Sequence, residues 1–122
     1  MREYQLCDSE YRFMEVVWDS APVGSGRLVE LCAQRLGWKK STTYTVLKKL
    51  CGKGLVRNEN ATVTVVVPRE EVAAAESAAF VDRTFGGSLP GFVAAFLGGK
   101  RLSDQEAEEL KRLIDAHKEE GI

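Results

Sequence analysis

No run of apolar residues in these 122 approaches the roughly 20 needed to cross a bilayer, so a membrane-spanning segment is excluded. Met1-Arg2-Glu3-Tyr4 has none of the apolar character of a secretory leader, and a cytoplasmic protein without membrane contact is expected. Cysteine is scarce and odd in number: Cys7, Cys32 and Cys51 match neither a disulfide framework nor the paired spacing of metal ligands. Cys32 and Cys51 are read as small buried hydrophobes. The single histidine, His117, is far in sequence from Cys32 and Cys51, which leaves nucleophilic and general-base chemistry without partners. Gly24-Ser25-Gly26 lacks the preceding strand and the spacing of a phosphate-binding loop. No catalytic residue, metal or cofactor is expected, and the chain is not read as an enzyme.

What is present is ordinary in amount and unusual in arrangement. Apolar residues make up 44% and charged residues 29%, enough for a buried core in one domain with a small appendage. Net charge is −1, from 17 basic and 18 acidic residues. Yet Leu31 to Asn58 holds Arg35, Lys39, Lys40, Lys48, Lys49, Lys53 and Arg57 and no acid, a segment of +7. The rest has ten basic against eighteen acidic residues, or −8. A strongly basic segment in an acidic body implies a polyanionic partner for one face only.

Asp8 and Ser9 offer N-caps for a first helix in which Phe13, Met14, Val17 and Trp18 recur at helical spacing, ending near Asp19-Ser20 ahead of Pro22. A second helix runs from about Ser25 to Leu36, with Leu28, Leu31, Cys32 and Leu36 on one side and Gly37 past its end. A third covers roughly Lys40 to Gly52, with Thr43, Val46, Leu47, Leu50 and Cys51 forming one stripe. At 100° per residue its other side presents Ser41, Thr45, Lys48 and Gly52, edged by Tyr44, Thr42 and Lys49. Short hydroxyl side chains permit close approach to a groove, and lysines at the margin reach phosphates, so this face suits a DNA major groove; a plain solvated face is the alternative.

Leu55-Val56-Arg57, a turn at Asn58-Glu59-Asn60-Ala61, and Thr62 to Val67 then read as a two-stranded hairpin closed by Pro68. Three short helices followed by a β-ribbon give the order of a winged helix-turn-helix over residues 1–68. Residues 69–122 differ. An Ala-rich helix from Arg69 to Phe85 carries Val72, Ala75 and Ala79 on one face, with Phe80, Val81 and Phe85 spread around the others. Gly86-Gly87-Ser88 breaks it before the apolar Leu89 to Leu97, and Gly98-Gly99 breaks the chain again. Ser103 and Glu106 form a capping box opening a helix with Ala107, Leu110, Leu113, Ile114 and His117 on its inner side. Such segments do not readily enclose a core alone, and a helical dimerisation arm is expected, with Phe80, Phe85, Phe92, Phe96, Leu110, Leu113 and Ile114 at the interface. The fold class is mainly α with a small β-hairpin wing, plus this arm.

Trp38 through Leu50 with Lys53-Gly54-Leu55, together with Ser9 to Trp18, Phe85 to Leu89, Val93 to Phe96 and Leu102-Ser103, resembles the penicillinase repressors, the BlaI/MecI/CopY family of winged-helix regulators. The resemblance runs from about Cys7 to Asp115. It implies a homodimeric transcriptional repressor that blocks a palindromic double-stranded operator and that, in several members, is released when a sensor protease cuts the arm. It places Ser41, Thr42, Tyr44 and Thr45 in the groove. Tyr44 stands where many relatives are basic, and Lys39 where they place a serine cap, so no operator sequence carries over. The point of cleavage in relatives matches Ala95-Phe96, but this pair lacks the polar residue that precedes the cut in the best-known members, so packing in the dimer is the favoured role and a protease signal the alternative. The cysteine pair of copper-responsive members has no counterpart after Cys51.

Lys39, Lys40, Lys48, Lys49 and Arg57 are the expected phosphate contacts, the wing tip itself being neutral to acidic. The competing reading of the same surface is a winged-helix module that docks an acidic protein partner.

Overall fold

The computed structural model describes residues 4–119. Met1 to Glu3, part of the N-terminus read above as lacking a leader, lie outside the described residues, as do residues 120–122. The order is α1 (Asp8–Ser20), β1 (Val23–Gly24), α2 (Ser25–Leu36), α3 (Lys40–Gly52), β2 (Val56–Glu59), β3 (Thr62–Val65), α4 (Arg69–Phe85), α5 (Leu89–Leu97) and α6 (Asp104–Ala116). No helix among the described residues is long and apolar enough to cross a membrane.

In α1 the apolar spacing places Phe13, Met14, Val16 and Val17 out of solvent. The helix is capped at Cys7, not at Asp8 or Ser9: the Glu10 carboxylate reaches back and accepts the Cys7 N–H at 3.0 Å. Asp8 falls inside the first turn, where it pairs with Arg12. Helix α2 buries Leu28 and Cys32, and Gly37 ends it in the left-handed region at φ 70°, where its N–H meets the Ala33 carbonyl at 3.1 Å. Trp38 then stacks on Phe13, centroids 6.1 Å apart and planes 8° off parallel, and this anchors the start of α3.

The wing is a three-stranded antiparallel sheet in the order β1-β3-β2, so the two-stranded expectation needs correcting. Val23 pairs with Val63, and Val56 with Val65. A two-residue strand carries no alternation by which to recognise it, and it also gives Gly24-Ser25-Gly26 the preceding strand denied to it above. The turn is shorter than expected as well. Asn60 and Ala61 take positive φ of 52° and 58°, the geometry of a two-residue hairpin turn, and Asn58 and Glu59 join the ladder. The Ala61 carbonyl accepts the Ser25 N–H at 2.8 Å, tying the wing tip to the first residue of α2.

Helices α1, α2 and α3 and the sheet enclose one core around Phe13, Met14, Leu28, Leu50, Leu55 and Val63, and α4 contributes Val72 and Ala75 to it. The winged helix and the start of the arm thus share a core. Cys32 is fully buried but Cys51 only partly, a correction that follows from its place at the rim of α3. Burial raises both thiols above their ordinary value of 9.0.

Beyond Ala75 the arm is open. Helix α4 ends at Gly86, with φ 58°, and the chain folds back so that Phe80, Phe85 and Phe92 meet in edge-to-face pairs at 5.6–6.0 Å, with Phe96 beside Phe92. Ser103 caps α6 by accepting the Glu106 N–H at 3.1 Å. No described residue of α5 or α6 is buried. His117 follows α6 with its ring Nδ1 2.8 Å from the Leu113 carbonyl and is exposed rather than on an inner side, because no element among the described residues covers that face.

Candidate nucleic-acid interface

Helix α3 is held by one side. Thr43, Leu47 and Leu50, spaced by four and three residues, are buried against α1 and α2, and the Thr43 hydroxyl is satisfied by the Lys39 carbonyl at 3.2 Å. Helical geometry then turns Ser41, Thr42, Thr45, Lys48 and Lys49 outward, all exposed. The Thr45 hydroxyl donates to the Ser41 carbonyl at 2.9 Å. Tyr44 lies at the edge of this face, 37% exposed, its hydroxyl in a long 3.4 Å contact with Ser25 Oγ at the start of α2.

The seven cations of the basic segment divide in two. Arg35 pairs with Asp19 at 3.0 Å, Lys53 with Glu10 at 3.0 Å, and Arg57 with Glu59 at 3.4 Å. Lys39, Lys40, Lys48 and Lys49 have no carboxylate partner among the described residues. Lys39 and Lys40 also stand at the N-terminal end of α3, where the helix dipole opposes a cation by about 0.3–1 kcal/mol each. No carboxylate pair among the described residues offsets this; an external polyanion would.

Two ionic arrangements that the sequence did not reveal hold this face in place. Glu10 is buried in the core; burial pushes its carboxyl up, but the Cys7 N–H and the Lys53 ammonium outweigh that and keep it below its ordinary 4.5. Lys53 therefore locks the C-terminal end of α3 to α1, and its Nζ also donates to the Gln5 carbonyl. At the other end of α1, Asp19 accepts from Arg69 at 2.8 Å and from Arg35 at 3.0 Å, and these two guanidiniums hold its carboxyl below the ordinary 3.8. Arg69 also lies 5.3 Å from the Trp18 ring, whose Nε1 donates to the Val67 carbonyl at 3.1 Å. Partners 16 and 50 residues from Asp19 leave no trace in local spacing.

The residues expected at a dimer interface lie well away from α3. Phe85 and Phe92 are half-buried within the aromatic cluster, while Phe80, Phe96, Leu110, Leu113 and Ile114 are exposed. Between α5 and α6 runs an open groove of about 590 Å³ lined by Phe92, Val93, Phe96, Leu97, Leu110 and Leu113. Ala95 and Phe96 sit in the last turns of α5, where Lys100 Nζ donates to the Phe96 carbonyl at 2.8 Å and lies 4.5 Å from its ring. No cluster of three His, Cys, Asp or Glu among the described residues is placed to hold a metal ion.

Comparison with known proteins agrees with this architecture. A family model described as penicillinase repressor matches residues 6–116. The penicillinase repressor of Bacillus licheniformis is 27% identical over 118 residues, covering 93% of this chain and 92% of its own length. The methicillin resistance regulatory protein MecI of Staphylococcus aureus is 21% identical, and its counterpart in Staphylococcus epidermidis 20%, each over 93% of this chain and 96% of its own length.

Proposed function

From the premise that this chain belongs to the penicillinase repressor family, whose members are transcriptional repressors and not enzymes, we propose that it is a homodimeric DNA-binding repressor that occludes a palindromic operator. Residues 1–68 form the DNA-binding winged helix and residues 69–122 the dimerisation arm. The carrying observation is the division among the cations: three are engaged by the chain's own carboxylates, and of the four without such partners among the described residues Lys48 and Lys49 edge the outer face of α3 while Lys39 and Lys40 stand exposed at its N-terminal end.

In this reading each protomer lays α3 in a major groove, with Ser41, Thr42, Tyr44 and Thr45 toward base edges and Lys39, Lys40, Lys48 and Lys49 on phosphates. Arg57 joins them at the cost of its exposed pair with Glu59, a pair that contributes little. The second copy covers the apolar side of α5 and α6, placing the two heads on successive grooves about 34–36 Å apart. Ala95 and Phe96 pack in this dimer; the alternative role of their peptide bond is as the point at which a sensor protease would sever α6 from the head.

A mobility shift on the promoter fragment upstream of its own reading frame tests this. With three or four phosphates neutralised per protomer, log K should fall against log salt with a slope of about −5 to −7. A slope near zero, or binding of an acidic protein without binding of the fragment, would overturn it.

A further inference from the structure

Helix α3 carries none of the side chains that read a purine through paired amide or guanidinium hydrogen bonds: Lys40–Gly52 contains no Asn, Gln or Arg. Its outer face is built instead of short hydroxyl residues, and their hydroxyls are not equally free. Thr43 gives its hydrogen to the Lys39 carbonyl inside the core, and Thr45 gives its own to the Ser41 carbonyl at 2.9 Å. Thr45 is exposed at the middle of the face, and its only donor is spent on the helix backbone. The oxygen is drawn toward the preceding turn and keeps acceptor lone pairs but no hydrogen to give, which leaves the methyl as the apolar group that can meet a ligand.

We propose that Thr45 is a specificity-determining residue that recognises thymine by methyl-to-methyl contact in the major groove. The proposal rests on the DNA-binding reading above and adds to it the class of base read and the atom that reads it. A major-groove thymine differs from every other base by its C5 methyl, and an apolar side-chain group is its matching partner. The methyl also discriminates against cytosine, whose N4 donor, set against an apolar group, would lose its hydrogen bond with water.

The test uses the full chain and a duplex that the wild-type protein enriches from a randomised double-stranded pool. Each thymine of that duplex is then replaced singly by deoxyuridine, which removes only the methyl. Thr45→Ser keeps the hydroxyl and drops the methyl; Thr45→Val does the reverse. Thr45→Ser should weaken binding of the thymine duplex roughly fourfold, the effect of one methyl-sized apolar group. Thr45→Val should retain wild-type affinity. At one position deoxyuridine should weaken the wild type and Thr45→Val by that same factor and leave Thr45→Ser unchanged, the signature of a direct pair. A loss in Thr45→Val with Thr45→Ser intact would assign the reading to the hydroxyl and overturn the proposal. So would equal deoxyuridine sensitivity in all three proteins. If the wild type enriches no duplex at all, the DNA-binding reading itself fails, an outcome distinct from a duplex that binds but shows no coupling to Thr45.

Discussion

Seven cations between Leu31 and Asn58 look alike in the sequence, yet their energetic roles differ by their surroundings. Lys53 faces Glu10, whose side chain is 6% exposed, whereas Arg57 and Glu59 meet in open solvent, where such a pair is nearly neutral. Replacing Lys53 by Ala removes a donor from a buried carboxylate. It should lower the unfolding free energy by about 1–3 kcal/mol in urea titration, and an unchanged midpoint would contradict this role. Nothing local announces the pair, since Glu10 lies 43 residues from Lys53, and charge counting assigns Lys53 to the surface with the rest. Lys48 and Lys49 could be placed from sequence alone, because helical period against Thr43, Leu47 and Leu50 sets their direction, whereas Lys39 and Lys40 are exposed by their place at the N-terminal end of α3.

At the scale of elements, α2 and α3 were readable to the residue, since apolar spacing of three and four and the glycines after each leave little freedom. The two-residue β1 was not, and neither was the meeting of three helices at one carboxylate. Asp19 at the end of α1 holds Arg35 of α2 and Arg69 of α4, so one carboxylate ties the first residue of α4 to the head beside the buried Val72 and Ala75. Its carboxyl is held below the ordinary 3.8, so it favours the folded state above that pH, and this contribution is lost as pH falls through the lowered value. The stability difference between wild type and Asp19→Asn, read from thermal unfolding across pH, should be constant near neutrality and shrink below about pH 4. A difference independent of pH down to about pH 2 would remove Asp19 from this role.

Over the whole molecule, the charge divides as the chain does, with the basic helix on the winged head and an acidic excess elsewhere. The arm's amphipathic period was visible in the sequence, but among the described residues nothing covers its apolar side: Leu113 and Ile114 remain 57% and 61% exposed. Leu110→Asp with Ile114→Asp should give a monomer in sedimentation velocity, with the head still folded, because a charge in a buried seam is costly. A dimer of wild-type stability would place the seam elsewhere. The most direct test of the account is a hydroxyl-radical footprint of the full-length protein on its own promoter region, repeated with Lys48→Ala and Lys49→Ala combined. Two symmetry-related protected patches about 10 base pairs apart, lost in the double variant, are predicted. Protection that is absent at saturating protein, or unaltered when the two lysines are removed, would contradict it.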